Sequence, residues 1–213
     1  LPGKPLIEIN GKAIIHHVWD RCRQVHPREN IYIATEDKVI EQFCSQREIN
    51  CVNTGPAATA IDRIKMFSDS IPADGYINVQ GDEPIANLDD IKTILEYNQN
   101  YPDRVVFGKA DADEEEFNDY SKAKVVCALD GRLLYSSRAG IPINNKGLFV
   151  KAERAIWIYG FNKDALDRYH AGDKVASLEK LEDNEIIRFL EIGVPVYCVG
   201  VIGDSWAVDE AKD

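Results

Sequence analysis

Short apolar runs alternate with segments of helical period over much of this chain, and that alternation leaves few architectures open. Residues 31–35, 51–53, 76–79 and 105–109 have the length and composition of strands. Helices are expected between them at 37–46, at 59–69 and after Asn87, a capping residue followed by Ile91, Ile94 and Leu95 on one face. Ile14, Val18, Cys22 and Val25 set a further amphipathic helix at 13–26, behind the turn Asn10-Gly11. Repeated strand–helix order predicts an α/β three-layer sandwich with a mostly parallel central sheet. The 213 residues suit a single domain.

From residue 123 the texture changes. Strands are expected at 125–129, 133–136 and 155–161, joined by turns at Asp130-Gly131 and Asn144-Asn145. This β-rich subregion, about 123–161, interrupts the alternation. A helix over 175–191 stopping at Gly193, then a strand over 194–201, bring the chain to Trp206-Ala207-Val208-Asp209. The acidic run at 111–116 reads as a solvated loop or helix start.

The most informative stretch is Tyr76-Ile77-Asn78-Val79-Gln80-Gly81-Asp82-Glu83-Pro84. Its apolar run is stopped by Gly81 and Pro84, leaving Gln80, Asp82 and Glu83 at the carboxyl end of a strand. Open α/β sheets bind ligands at that edge. Asp82 beside a glycine can aim an oxygen at a hard cation, and Gln80 can hydrogen-bond a base or sugar. A solvated loop is the plainer alternative. In Leu1-Pro2-Gly3-Lys4-Pro5-Leu6, two prolines and a glycine stiffen the chain around one lysine, unless the segment is a frayed terminus. Asp62 and Arg63 fall in the first turn of the 59–69 helix, where anions are attracted and Arg63 adds a fork of donors. Asp62 there equally serves to offset the helix dipole.

Lys and Arg number 25 against 36 Asp and Glu, a net charge of -11 that argues against a nucleic-acid partner. An anionic ligand would therefore need local cations or a metal ion. No apolar run is long enough for membrane insertion, and no signal peptide is evident. Five widely spaced cysteines without a Cys-x-x-Cys pattern suit a reducing, cytoplasmic setting. The four histidines lack metal-site spacing, and neither a Gly-x-Gly-x-x-Gly nor a Walker pattern occurs.

Taken in order, Leu1-Pro2-Gly3-Lys4-Pro5-Leu6, Asp62-Arg63, Val79-Gln80-Gly81-Asp82-Glu83-Pro84 and Ala207-Val208-Asp209 resemble the 3-deoxy-manno-octulosonate cytidylyltransferases, or CMP-Kdo synthetases. The resemblance runs nearly end to end. Gln-Gly-Asp-Glu-Pro after a strand is quite specific, whereas the first stretch is shared with other nucleotidyltransferases. It implies a nucleotide-diphospho-sugar transferase-like fold, with the β-rich subregion as a sugar-binding and dimerisation insertion of a homodimer. It implies CTP and a 2-keto-3-deoxy sugar acid as substrates, a CMP-sugar and pyrophosphate as products, and a place in lipopolysaccharide or capsule biosynthesis. Lys4 would contact the phosphates, Asp82 and Asp209 would hold Mg²⁺, and Asp62, Arg63 and Gln80 would lie at the nucleotide. Arg138 would face the sugar-acid carboxylate, with Tyr159 and Glu185 at its hydroxyls. The family's basic phosphate loop lies on a strand ahead of the first stretch, outside this sequence.

Three departures stand out. Ala60-Ile61 replaces the family's Gly-Thr, Ala155 a histidine, and Ile186 a glutamine. The last two positions are expected in the sugar pocket, where each change removes a hydrogen-bonding group. An 8-amino-octulosonate or a nonulosonate is thus an alternative acceptor. A non-catalytic nucleotide-sugar binding protein is the alternative from a different class, and a dehydrogenase lacks its glycine fingerprint.

Overall fold

A computed structural model describes residues 3–171 and 177–208. Lys4–Leu6 form a single 3-10 turn behind Gly3. Strands β1 (Glu8–Ile9) and β2 (Lys12–Ala13) follow, closed by Asn10 and Gly11 at φ 52° and 74°. Positive φ at both central residues matches the twist of a tight hairpin. The chain continues through α1 (Ile14–Cys22), β3 (Ile33–Thr35), α2 (Lys38–Ser45), β4 (Cys51–Asn53), α3 (Ala60–Ser70), β5 (Tyr76–Val79) and α4 (Leu88–Asn100). Then come β6 (Val105–Ala112), α5 (Glu114–Asn118), β7 (Lys124–Cys127), β8 (Leu133–Ser137) and β9 (Ala152–Phe161). The last elements are α6 (Lys163–Ala171), α7 (Leu178–Glu182), α8 (Ile187–Glu191) and β10 (Val196–Gly200).

Capping chemistry explains several of these starts. Asp37, Thr59 and Asn87 each accept a backbone N–H of the following turn, at α2, α3 and α4. The acidic run divides: Asp111 belongs to the end of β6, and Asp113 to Glu116 open α5, with Asp113 and Glu116 forming a reciprocal capping box.

The main sheet is mixed. β5, β6 and β10 run in one direction, and β9 lies antiparallel between β5 and β6. On the edge of β9 next to β5, its amino-terminal half pairs with β7, which pairs in turn with β8. The β-rich stretch is therefore continuous with the central sheet, and its longest strand lies inside that sheet. β3 and β4 form a separate parallel pair.

Alternating residues build two cores. Val105, Phe107, Tyr159 and Phe161 face Ile61 of α3, Leu166 of α6 and Phe189 of α8. Val106, Ala110, Ile156 and Ile158 face Ile91 and Ile94 of α4. A helical layer thus covers each face, as in a three-layer sandwich. A third cluster joins Trp19 of α1 to Ile33, Ile40 and Cys44.

The helix expected over 175–191 is corrected. Its first two residues lie outside the described residues, and the rest forms two short helices broken at Asp183, whose φ is 47°. Asp tolerates the left-handed region better than most residues. The break lets Asn184 donate to Ser136 Oγ at 2.8 Å and turns Glu185 toward α3.

Candidate functional site

The site begins where β5 ends. Gly81 brings the turn against Ile15 of α1: a Cβ there would sit 2.9 Å from Ile15 Cδ1, a contact that a shift of that side chain could relieve. The Glu83 N–H donates to the Gln80 carbonyl at 3.3 Å and closes that turn. Asp82 meets Lys4 here: Lys4 Nζ donates to Asp82 Oδ2 at 2.7 Å, with the side chains 22% and 27% exposed. Asp82 Oδ1 has no hydrogen-bond partner among the described residues.

The chain returns to this turn after β10. Val208 N–H donates to the Asp82 carbonyl at 2.9 Å, Ser205 Oγ to Glu83 Oε2 at 3.1 Å, and Asn87 Nδ2 to Asp204 Oδ1 at 2.8 Å. Buried Asp90 accepts the N–H groups of Ile202 and Gly203 at 2.7 and 2.9 Å. Glu83 is itself buried, and loss of solvation lifts its carboxyl to about 6, against an ordinary 4.5. Asp209 lies outside the described residues. Among the described residues no three acidic, histidine or cysteine side chains gather around a common point.

Beside this turn opens a cavity of about 510 Å³, lined by Gln80, Arg138, Trp157, Tyr159, Lys180 and Glu185, among others. Four residues singled out from the sequence therefore share one space. Glu185 accepts the Tyr159 hydroxyl at 3.1 Å on one oxygen and the Ile61 N–H at 3.1 Å on the other. Burial raises the pKa of both side chains. Arg138 is held by backbone: Nε donates to Glu182 O at 3.0 Å, Nη1 to Ser121 O at 3.0 Å, and Nη2 to Asp183 O at 2.8 Å.

Asp62 and Arg63 part company. Asp62 is buried, accepts Thr59 Oγ1 at 2.9 Å, and faces Arg188 Nη1 at 3.3 Å. Arg63 turns to Thr54 Oγ1 at 2.8 Å and Glu36 at 3.3 Å. The departures at 155 and 186 also fall differently from expectation. Ala155 and Ile186 are packed in the core and do not line the cavity, Ile186 with no exposure at all, because both belong to the apolar cluster shared with Phe107 and Phe189.

Sequence reasoning missed Glu179 and Arg188, a buried pair in which Arg188 Nε and Nη2 reach the two Glu179 oxygens at 2.6 and 2.7 Å. It also missed Trp157 and Lys180 on the cavity wall. A cation flanked by Ile186, Ile187 and Phe189 was the available signal for Arg188, since such a group is buried only when paired.

Comparison with known proteins follows the same geometry. A family model described as "Cytidylyltransferase" matches residues 1–196. A 3-deoxy-manno-octulosonate cytidylyltransferase of Koribacter versatilis is 31% identical over 216 residues, covering 100% of this chain and 82% of its own. An 8-amino-3,8-dideoxy-manno-octulosonate cytidylyltransferase of Shewanella halifaxensis is 32% identical, with 100% and 89% covered. Among solved structures, a CMP:2-keto-3-deoxy-manno-octonic acid synthetase complexed with CTP superposes with a TM-score of 0.92 at 29% identity, covering 100% of this chain and 88% of that one. A glucose-1-phosphate thymidylyltransferase from Bacillus anthracis shares the fold alone, with a TM-score of 0.64 at 14% identity, over 96% of this chain and 80% of that one. With its motifs in order, its fold matched and its full length aligned, the chain is a nucleotidyltransferase that belongs to the 3-deoxy-manno-octulosonate cytidylyltransferase family.

Proposed function

We propose that this enzyme couples CTP to a 2-keto-3-deoxy sugar acid, 3-deoxy-manno-octulosonate or a close relative, for cell-surface polysaccharide synthesis. The observation that carries the proposal is the meeting of Lys4 and Asp82 at the end of β5, beside a cavity holding Gln80, Arg138, Tyr159 and Glu185. The anomeric hydroxyl oxygen attacks the α-phosphorus, a P–O bond forms, the α–β bridge breaks, and pyrophosphate leaves while the hydroxyl proton passes to solvent.

Lys4 neutralises phosphate oxygens, Arg63 and Gln80 face the nucleotide, and Tyr159 and Glu185 orient the sugar hydroxyls. Asp62 supports the nucleotide side from behind, through Thr59 and Arg188. The Asp82 oxygen without a hydrogen-bond partner among the described residues fits a divalent cation, for Mg²⁺ takes one or two carboxylates and completes its shell with phosphates and water. We assign Asp82 and Asp209 to it, supported by the Val208–Asp82 backbone bond one residue away in sequence. When bound, Mg²⁺ offsets the charge of the triphosphate. The protein's own contribution is positioning.

Five free cysteines and the absence, among the described residues, of any helix long and apolar enough to cross a membrane support a cytoplasmic setting. Exposed Leu129, Leu134, Ile143 and Leu148 support a homodimer through the β-rich stretch.

Pyrophosphate release with CTP, Mg²⁺ and a panel of 2-keto-3-deoxy acids tests the proposal; no release with any acid would refute it. An 8-amino acceptor belongs in that panel, because a relative named for that sugar is 32% identical, level with those named for the parent acid.

A further inference from the structure

Strand β9 changes register beside the cavity, and the change isolates Trp157. Phe107 of β6 pairs with Tyr159 and the next residue, Gly108, pairs with Ile156, so Trp157 and Ile158 have nothing opposite them on β6. On the other edge of β9, β5 stops opposite Ile158 and β7 pairs with Arg154 and Glu153. Trp157 thus has no register partner in β5, β6 or β7, and it lies where β5 leaves the sheet toward Gln80. Bulges of this kind re-aim a side chain and recur next to active sites. Alternation puts Trp157 on the same face as Tyr159, and both line the cavity.

The indole is half-buried and fixed on its inner side. It stacks on Phe107 at 13° with centroids 6.2 Å apart, and leans on Tyr159 at 6.0 Å. Both of those rings are buried, so a swing of the indole would open the core. Its N–H makes no hydrogen bond among the described residues and is not shut off from solvent, although a buried indole ordinarily finds a partner. Apart from Ala58 and Tyr159, the other side chains on the described cavity wall are polar or charged. Trp157 therefore gives that wall its broad apolar surface. A cyclic sugar acid carries C–H faces between its hydroxyls and offers the matching shape.

We infer that Trp157 is a specificity-determining residue that touches the acceptor: its indole face takes the C–H face of the sugar-acid ring, and its N–H donates to a hydroxyl of that ring. The inference rests on the proposed sugar-acid reaction. A ring already held by its neighbours loses little freedom when a ligand lands on it, so the contact goes into binding. Tyr159 and Glu185, joined to each other, meet the acceptor from the same face.

The test is steady-state pyrophosphate release by the full chain with CTP, Mg²⁺ and 3-deoxy-manno-octulosonate, joined to a fluorescence titration. Trp157→Ala should raise the sugar-acid KM roughly 10- to 50-fold, the range of a lost aromatic contact and hydrogen bond, with the CTP KM within about twofold. Trp157→Phe keeps a ring on Phe107 and should recover most of that loss. Among singly deoxygenated acids, one that the unaltered protein disfavours should lose its disadvantage in Trp157→Phe, because the N–H it failed to satisfy is gone. With Mg²⁺ and a CTP analogue carrying a methylene α–β bridge, the sugar acid should quench tryptophan emission. That quenching should vanish in Trp157→Phe and persist in Trp206→Phe, a readout that a purely structural role for Trp157 would not give. Pyrophosphate release by the unaltered protein with a sugar-acid KM unmoved in Trp157→Ala, or a rise in the CTP KM alone, would overturn the inference and leave the proposed function standing. If Trp157→Ala does not fold, quenching that survives in Trp157→Phe would overturn it. Absence of pyrophosphate release with any acid would overturn the proposed function and this inference with it.

Discussion

Asp90 offers the sharpest test of how the turn after β5 is tied to the chain beyond β10. It sits in the first turn of α4 with 1% exposure, and its two oxygens take the N–H groups of Ile202 and Gly203 at 2.7 and 2.9 Å. Hydrogen bonds to a charged acceptor contribute about 1.5–3 kcal/mol each, so their sum would reach about 3–6 kcal/mol. Asp90→Ala should cost near the lower end, about 3 kcal/mol, because Ile202 is 57% exposed and its N–H can find water, whereas Gly203 is buried. Asp90→Asn keeps one acceptor but sets an NH₂ against the other donor, at a cost of about 2 kcal/mol. In urea, with a slope of about 2 kcal/mol/M, the alanine variant should unfold about 1.5 M earlier. Amide exchange at Ile202 and Gly203 should quicken in both variants. A loss below about 0.5 kcal/mol, the range of an ordinary surface change, would refute this account of the segment's anchoring.

Asp82→Asn should lower pyrophosphate release by more than about 100-fold at saturating Mg²⁺. Its unfolding midpoint should hardly move, since the Lys4–Asp82 pair is about a quarter exposed and such pairs contribute little. Lys124 has no exposure and donates to the carbonyls of Asp119 and Lys122 at 2.7 and 2.6 Å, so Lys124→Met should cost about 2–4 kcal/mol and speed proteolysis near 116–122. Burial holds the Glu185 carboxyl above its ordinary 4.5, so the folded state binds its proton more tightly than the unfolded one. That contribution to stability is complete below 4.5 and is lost as pH rises through the raised value; Glu185→Gln should flatten this part of the curve in denaturation measured from pH 4 to 8.

Local chemistry made much of the fold legible. Residues 51–53 and 76–79 read as strands and are strands, because Gly and Pro close both runs within a few residues of their ends, Gly55 and Pro56 in one and Gly81 and Pro84 in the other. Asn10-Gly11 announced its turn, though not the two short strands it joins, and Asn87 its helix, through conformational and capping preferences that act within a few residues. The sheet order was not visible. Nothing local tells residues 152–161 to run antiparallel between β5 and β6; that depends on partners far away in sequence. Helix α6 went unread because Lys163–Ala171 is mostly polar around its few buried residues, Ala165, Leu166 and Tyr169. At the site, Gln80, Arg138, Tyr159 and Glu185 were recognisable through their motifs. The engagement of every Arg138 donor, and the placement of Ile186 in the core, are properties of packing that no single stretch contains.

The interruption at Asp183 carries an evolutionary consequence. Only four residues, 183–186, join α7 to α8, and Glu185 is one of them, so inserting or deleting one amino acid there would displace Glu185 from the Ile61 N–H or shift α8 and Arg188 relative to Asp62. Chain length in this short connection should therefore be far less variable among descendants of this sequence than in the exposed turn around Asn144, which can lengthen without moving either group.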